Sequence, residues 1–265
     1  MTVRQAWAWM LVLASAAALL AAPAVGNRWS RYEHEMQDPV DDPADANEKT
    51  EFAFARLRYR SNRDGWGYAR WGIDCNRSDR QFITGLKRLT RVHARSIEEI
   101  IDVESDEIFN WPWLFAVSPG DWQLTDAHCA RLKQYLDRGG FLMVDDFHGP
   151  RDWDGFMSGM ARIAPNAQIV ELPNDSPIFH VLYNLSDRVQ IPGANVVHGR
   201  GYEKDGVVPH WRGVLDEKGR VMVAACFNMD VGDAWEFADS ADYPEKFTSQ
   251  AYRLGINYVL YSMTH

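Results

Sequence analysis

The stretch FLMVDDFHG, residues 141–149, sets two adjacent carboxylates, Asp145 and Asp146, just ahead of His148. A carboxylate beside an imidazole can work as a general acid/base pair or ligate a divalent ion. The bland alternative is that these groups fix a loop and cap a helix. A second polar series, CFNMDVGDAWE (226–236), carries Asn228, Asp230, Asp233 and Glu236. Oxygen-rich segments can hold calcium, but this spacing lacks the twelve-residue pattern of an EF-hand, and turn formation accounts for it as well. Trp66, in a glycine-rich stretch with Gly65 and Gly67, could stack on a sugar ring or pin a long loop. The candidate ligand-binding residues are therefore Asp145, Asp146, His148, Trp66, Asn228 and Asp230. None is singled out as catalytic. No cofactor is implied, although the carboxylates admit a divalent cation.

What must position these groups is an alternation of strands and helices. Phe52, Phe54, Leu57 and Tyr59 suit a first strand, and Phe82, Ile83, Leu86 and Leu89 recur at helical spacing. A short strand is predicted near Val92. WLFAVS (113–118) has the unbroken apolar character of a buried parallel strand. Thr125 can cap a helix through Cys129, Leu132 and Leu136, which Gly139-Gly140 ends. FLMVDD follows at once as a strand, so the three form a βαβ unit with a parallel pair. A helix over about 152–164 and a strand over 167–172 extend the series. Arg212–Leu215 and Arg220–Ala225, around Asp216-Glu217-Lys218-Gly219, read as a hairpin. A closing helix spans about 244–263. The expected architecture is a three-layer α/β domain with a mostly parallel sheet and a C-terminal antiparallel extension. In such a sheet, ligands bind beyond the carboxyl ends of the strands, where Asp145 and Asp146 stand. Successive strand residues point to opposite faces, so the two cannot share one pocket unless the strand has already ended.

The chain has 265 residues and a formal net charge of -9, with 46% hydrophobic residues, which is globular rather than disordered. The acidic balance argues against nucleic acid as a partner, because phosphate binding rests on clustered Lys and Arg. GxSxG, HExxH, a Walker loop and the dinucleotide fingerprint are all absent. Residues 1–26 stand apart: one charge, Arg4, an apolar run from Ala6 to Ala22, then small residues at signal-peptidase spacing. They predict export to the periplasm or cell envelope, by a cleaved signal or by an anchor over residues 6–22. Residues 27–50 read as a flexible acidic leader and 51–265 as the folded domain. Of the three cysteines, Cys75, Cys129 and Cys226, an oxidising compartment would permit one bridge and leave one thiol over. Cys129 reads as a buried small hydrophobe.

FAFARLRYR, NWPWLFAV, LTDAHCARLKQYLDRGGFLMVDDFHG, DSPIFHVLY and NMDVGDAWEFAD, in that order, resemble the DUF4159 family of bacterial envelope proteins over essentially residues 51–265. That family is similar in fold to the class I glutamine amidotransferase-like proteins, which implies a flavodoxin-like sandwich. Some relatives join the domain to membrane segments or von Willebrand factor A-like modules, which implies envelope assembly or sensing. The resemblance brings no activity with it. Amidotransferases need a cysteine nucleophile at a sharp strand-to-helix turn. Here that turn holds Asp145, Asp146 and His148, while Cys129 and Cys226 lie elsewhere, which argues against cysteine-dependent glutamine hydrolysis. The expectation is a non-catalytic domain that binds a small ligand or an envelope protein. The alternative is a carboxylate- or metal-dependent hydrolase of an envelope carbohydrate or peptide.

Overall fold

The computed structural model describes residues 42–61 and 69–265. The apolar leader of residues 1–26 and Trp66 lie outside the described residues. Nine strands and five helices of six residues or more make up the described part. The strands are β1 (Ala55–Arg58), β2 (Arg60–Ser61), β3 (Glu99–Asp102), β4 (Trp113–Val117), β5 (Trp122–Gln123), β6 (Phe141–Phe147), β7 (Gln168–Glu171), β8 (His210–Leu215) and β9 (Val221–Phe227). The helices are α1 (Arg77–Leu89), α2 (Asp126–Asp137), α3 (Gly149–Ile163), α4 (Val231–Glu236) and α5 (Glu245–Thr264).

Seven strands form one sheet in the order β3-β1-β4-β6-β9-β8-β7. The first five run parallel, and β8 opposes both of its neighbours. This is an α/β fold with a mostly parallel sheet between helical layers, consistent with a flavodoxin-like three-layer sandwich. Every residue of β4 and β9 is buried, as strands covered on both faces must be. On one side, α1, α4 and α5 close over an aromatic core in which Phe54 meets Phe82, Trp113, Phe115 and Trp235 at ring separations of 4.9–5.9 Å. On the other side, Phe156 of α3 packs on Phe147 and Trp122. The expected βαβ unit is present as β4, α2 and β6, with β4 and β6 paired in parallel. Thr125 caps α2 by accepting from the His128 amide, and His128 completes the capping box. Gly139, at φ 99°, turns the chain out of the helix.

Two expectations need correction. The strand predicted near Val92 is only a single bridge between Phe52 and Ala94, and the true strand is EIID, 99–102. Its acidic ends hide it, and as an edge strand it needs little apolar character. Helix α3 begins at Gly149, three residues before the predicted start. Pro150 tolerates the first turn, and the carboxylate of Asp152 accepts from the His148 amide 3.0 Å away. No disulfide joins Cys75, Cys129 and Cys226, which sit apart on the α1 approach, α2 and β9. Cys129 is buried as expected, and burial pushes its thiol pKa up. Where the acidic leader comes into view it touches the fold: Asp45 accepts from Lys87 Nζ at 2.8 Å and Ser96 Oγ at 2.7 Å.

Candidate functional site

The carboxyl ends of β4, β6 and β9 lie side by side, and the chemistry-bearing residues gather there. Strand β6 carries a bulge. Val144 pairs with Ala225 and Phe147 with Phe227, so Asp145 and Asp146 together face the single residue Cys226. Asp146 takes a left-handed backbone, φ 50°, with no glycine to ease it. The bulge breaks the strict alternation of faces and re-aims the second carboxylate.

Asp145 points inward and is fully buried. Its Oδ2 accepts from the amides of Val231 at 2.7 Å and Gly232 at 2.8 Å, the first turn of α4. Burial pushes its pKa well above the usual carboxylate range, and the charge of Asp146 adds to that, while the two amides oppose it. Asp145 therefore ties β6 to α4 and does not face solvent. Asp146 does, with its side chain 15% exposed. Its Oδ1 lies 3.1 Å from His148 Nε2, and Ser118 Oγ lies 2.9 Å from its Oδ2. Ser118 ends β4 and is itself left-handed, φ 52°. His148 is 2% exposed, and its Nδ1 has no partner among the described residues. Glu203 comes from the 191–209 segment, and one ligand atom each of Asp146, His148 and Glu203 lies within 4.8 Å of the others. Beside them, Lys204 Nζ is bonded to Asp152.

The second polar series converges on the same place. The Asn228 amide donates to Phe147 O at 3.0 Å, and its side-chain Oδ1 accepts from Gly149 N at 2.9 Å. Its Nδ2 donates to Val208 O at 2.7 Å, so Asn228 is a latch between β9, α3 and the 191–209 segment. Asp230 caps α4 by accepting from the Asp233 amide at 2.9 Å. Burial lifts the Asp230 pKa well above normal, reinforced by the charges of Asp233, Asp146, Asp74 and Asp145. Burial likewise raises Asp233 to about 6 and, with help from the charge of Asp233, Glu236 to about 7.

Of the residues predicted from sequence, Asp146 faces outward with the buried His148 bonded to it, while Asp145, Asn228 and Asp230 hold their frame. Ser118, Glu203 and Asp74 were not foreseen. Asp74, on the approach to α1, joins the acidic group through space. Burial and the charges of Asp233, Glu236 and Asp146 raise its pKa well above normal. No local pattern marks it, because its partners lie 70 or more residues away. The whole forms a carboxylate-rich cluster at the turn from β6 into α3.

A comparison with curated proteins finds no match. The family model "Domain of unknown function (DUF4159)" matches residues 53–263, which takes in every strand described above and every helix but for the last residue of α5. The chain that builds this acidic strand edge thus belongs to the DUF4159 family.

Proposed function

We propose that the chain is an exported, non-catalytic domain of the cell envelope. It binds a small ligand bearing positive charge and hydroxyl groups at the strand ends, through Asp146, His148, Ser118 and Glu203. The observation that carries this reading is the Asp146–His148–Ser118 arrangement. Two carboxylate oxygens and an imidazole are already oriented by one another at the carboxyl edge of a parallel sheet, where such folds bind ligands. Pre-orientation of this kind lowers the ordering cost of binding. The acidic surroundings of Asp146 favour a cationic group. Export rests on the sequence of residues 1–26, and the envelope setting on the family resemblance.

The test is a melting panel of the full chain with amino sugars, basic cell-wall peptides and divalent salts. At about one hundred times Kd, a ligand of the native state adds roughly 2.7 kcal/mol, a rise of several degrees for a domain of this size. At least one amino sugar or peptide should raise the melting temperature of the wild type and not that of Asp146→Asn. A flat profile across the panel contradicts the proposal.

One observation favours a second reading, a carboxylate-dependent hydrolase. Asp146 sits on a left-handed strand-to-helix turn with a histidine in hydrogen-bond reach, a geometry that presents a reactive side chain. Turnover of a wall glycan or peptide that disappears in Asp146→Asn would establish it over the binding reading.

A further inference from the structure

Two distant stretches of chain bring three further carboxylates to one point. Asp74 lies on the approach to α1, and Asp233 and Glu236 stand three residues apart on α4. One oxygen of each lies within 4.8 Å of the others. Asp74 is 6% exposed, and its Oδ2 has no hydrogen-bond partner among the described residues. That oxygen is aimed at α4, into the space where a Cβ on Gly232 would begin. Asp233 is held in place from its other side by the Ala194 amide, 2.6 Å away. Arg56 lends these groups some positive potential, but all its donors are committed: to Asp79, to Ser78, and to the carbonyls of Trp71 and Ile73.

We propose that Asp74, Asp233 and Glu236 together bind one hard divalent cation of the calcium, magnesium or manganese kind. An all-carboxylate donor set selects that class over zinc or copper. Oxygens bound to one calcium at about 2.3–2.6 Å lie at most about 5 Å apart, which the observed spread satisfies. Burial raises the pKa of all three groups, the charge of Asp233 adds to it at Asp74 and Glu236, and an ion at their common point offsets both costs. Asp146, His148 and Glu203 are a poorer choice for this class of ion, because an imidazole is a softer donor than a carboxylate and both oxygens of Asp146 are already engaged by His148 Nε2 and Ser118 Oγ. The ion clamps the approach to α1 onto α4, whose first amides hold Asp145. This site is independent of the ligand reading above.

The probe is manganese. Titration of the full chain with MnCl2, with free Mn2+ read by electron paramagnetic resonance, should show one ion bound per chain and displaced by calcium or magnesium. Asp74→Asn and Glu236→Gln should each weaken binding by about tenfold or more, since even groups behind the ligands cost that much. Asp146→Asn should leave binding within about threefold of wild type. Without ion, Asp74→Asn should melt at or above the wild-type temperature, because it removes repulsion, so its loss of binding is not a loss of fold. Absence of binding at millimolar Mn2+, or unchanged binding in both Asp74→Asn and Glu236→Gln, would overturn the proposal. Loss of binding in Asp146→Asn alone would overturn it too, moving the ion to the outer pair. Failure here leaves the Asp146-dependent response to amino sugars and peptides untouched.

Discussion

Asp145 and Asp146 are neighbours with opposite duties, and the division follows from what each oxygen meets. Asp145 is sealed against the start of α4, where its Oδ2 is the acceptor for two backbone amides. Removing it leaves both donors buried without partners, at about 1–3 kcal/mol each. Asp145→Ala should therefore lower unfolding free energy by about 2–5 kcal/mol. Asp145→Asn retains an oxygen acceptor, and its raised pKa already favours an uncharged group, so it should cost far less. Urea unfolding of the two variants checks this; equal losses would mean that the charge, not the acceptor, matters. The FLMVDD segment revealed the carboxylates and their strand, but not which would face outward. That depended on the bulge between Val144 and Phe147, and no glycine announces it. Asp74 was illegible for a different reason: its importance arises only when the loop before α1 meets α4.

That meeting rests on Arg56, a fully buried arginine on β1. Its guanidinium forms a bonded pair with Asp79 of α1 and also holds the carbonyls of Trp71 and Ile73. It thereby fixes the segment from which Asp74 projects. A buried ion pair contributes little net stability when intact but is costly to break, about 3–5 kcal/mol, because one charge is left alone in the interior. Asp79→Ala should lose about that much in denaturant unfolding. The double change Arg56→Met with Asp79→Leu should lose less than Asp79→Ala alone. If the double variant is the worse of the two, the pair stabilises by more than avoiding a stranded charge. The apolar runs of β4, β6 and β9 were legible because strands covered on both faces must be hydrophobic throughout. FAFARLRYR disclosed β1 while concealing that one of its arginines lies inward, since an arginine in a strand ordinarily reads as a solvent-facing residue.

Across the molecule, acidic groups are concentrated at one end of the sheet, and that concentration sets the response to pH. In the absence of divalent ions, Asp233 and Glu236 keep their protons in the folded state up to about pH 6 and pH 7. The unfolded chain gives them up near pH 4. A carboxyl whose folded pKa is raised stabilises fully below its unfolded pKa and loses that contribution as pH rises through the folded value. Asp74, Asp145 and Asp230, raised in the same direction, extend the loss toward higher pH. The melting temperature should therefore fall steadily between pH 5 and pH 8 in chelator-treated protein. A rise over that range would mean that these groups are ionised and paired. The fold class, the βαβ unit and the position of Asp145 and Asp146 at the carboxyl end of β6 were all readable in advance, because periodicity and topology dictate them. The convergence of residues 74, 146, 203, 233 and 236 was not, because it is a product of tertiary packing.

Where a ligand lands decides the role of the strand ends. Backbone amide chemical shifts of the labelled chain, followed during titration with whichever amino sugar or peptide raises the melting temperature, locate it directly. Shifts concentrated at Ser118, Asp146, His148 and Glu203, and absent in Asp146→Asn, are the predicted result. Shifts concentrated instead around Arg88, Leu89, Leu182 and Leu260, which line a groove near the start of β1, would contradict it.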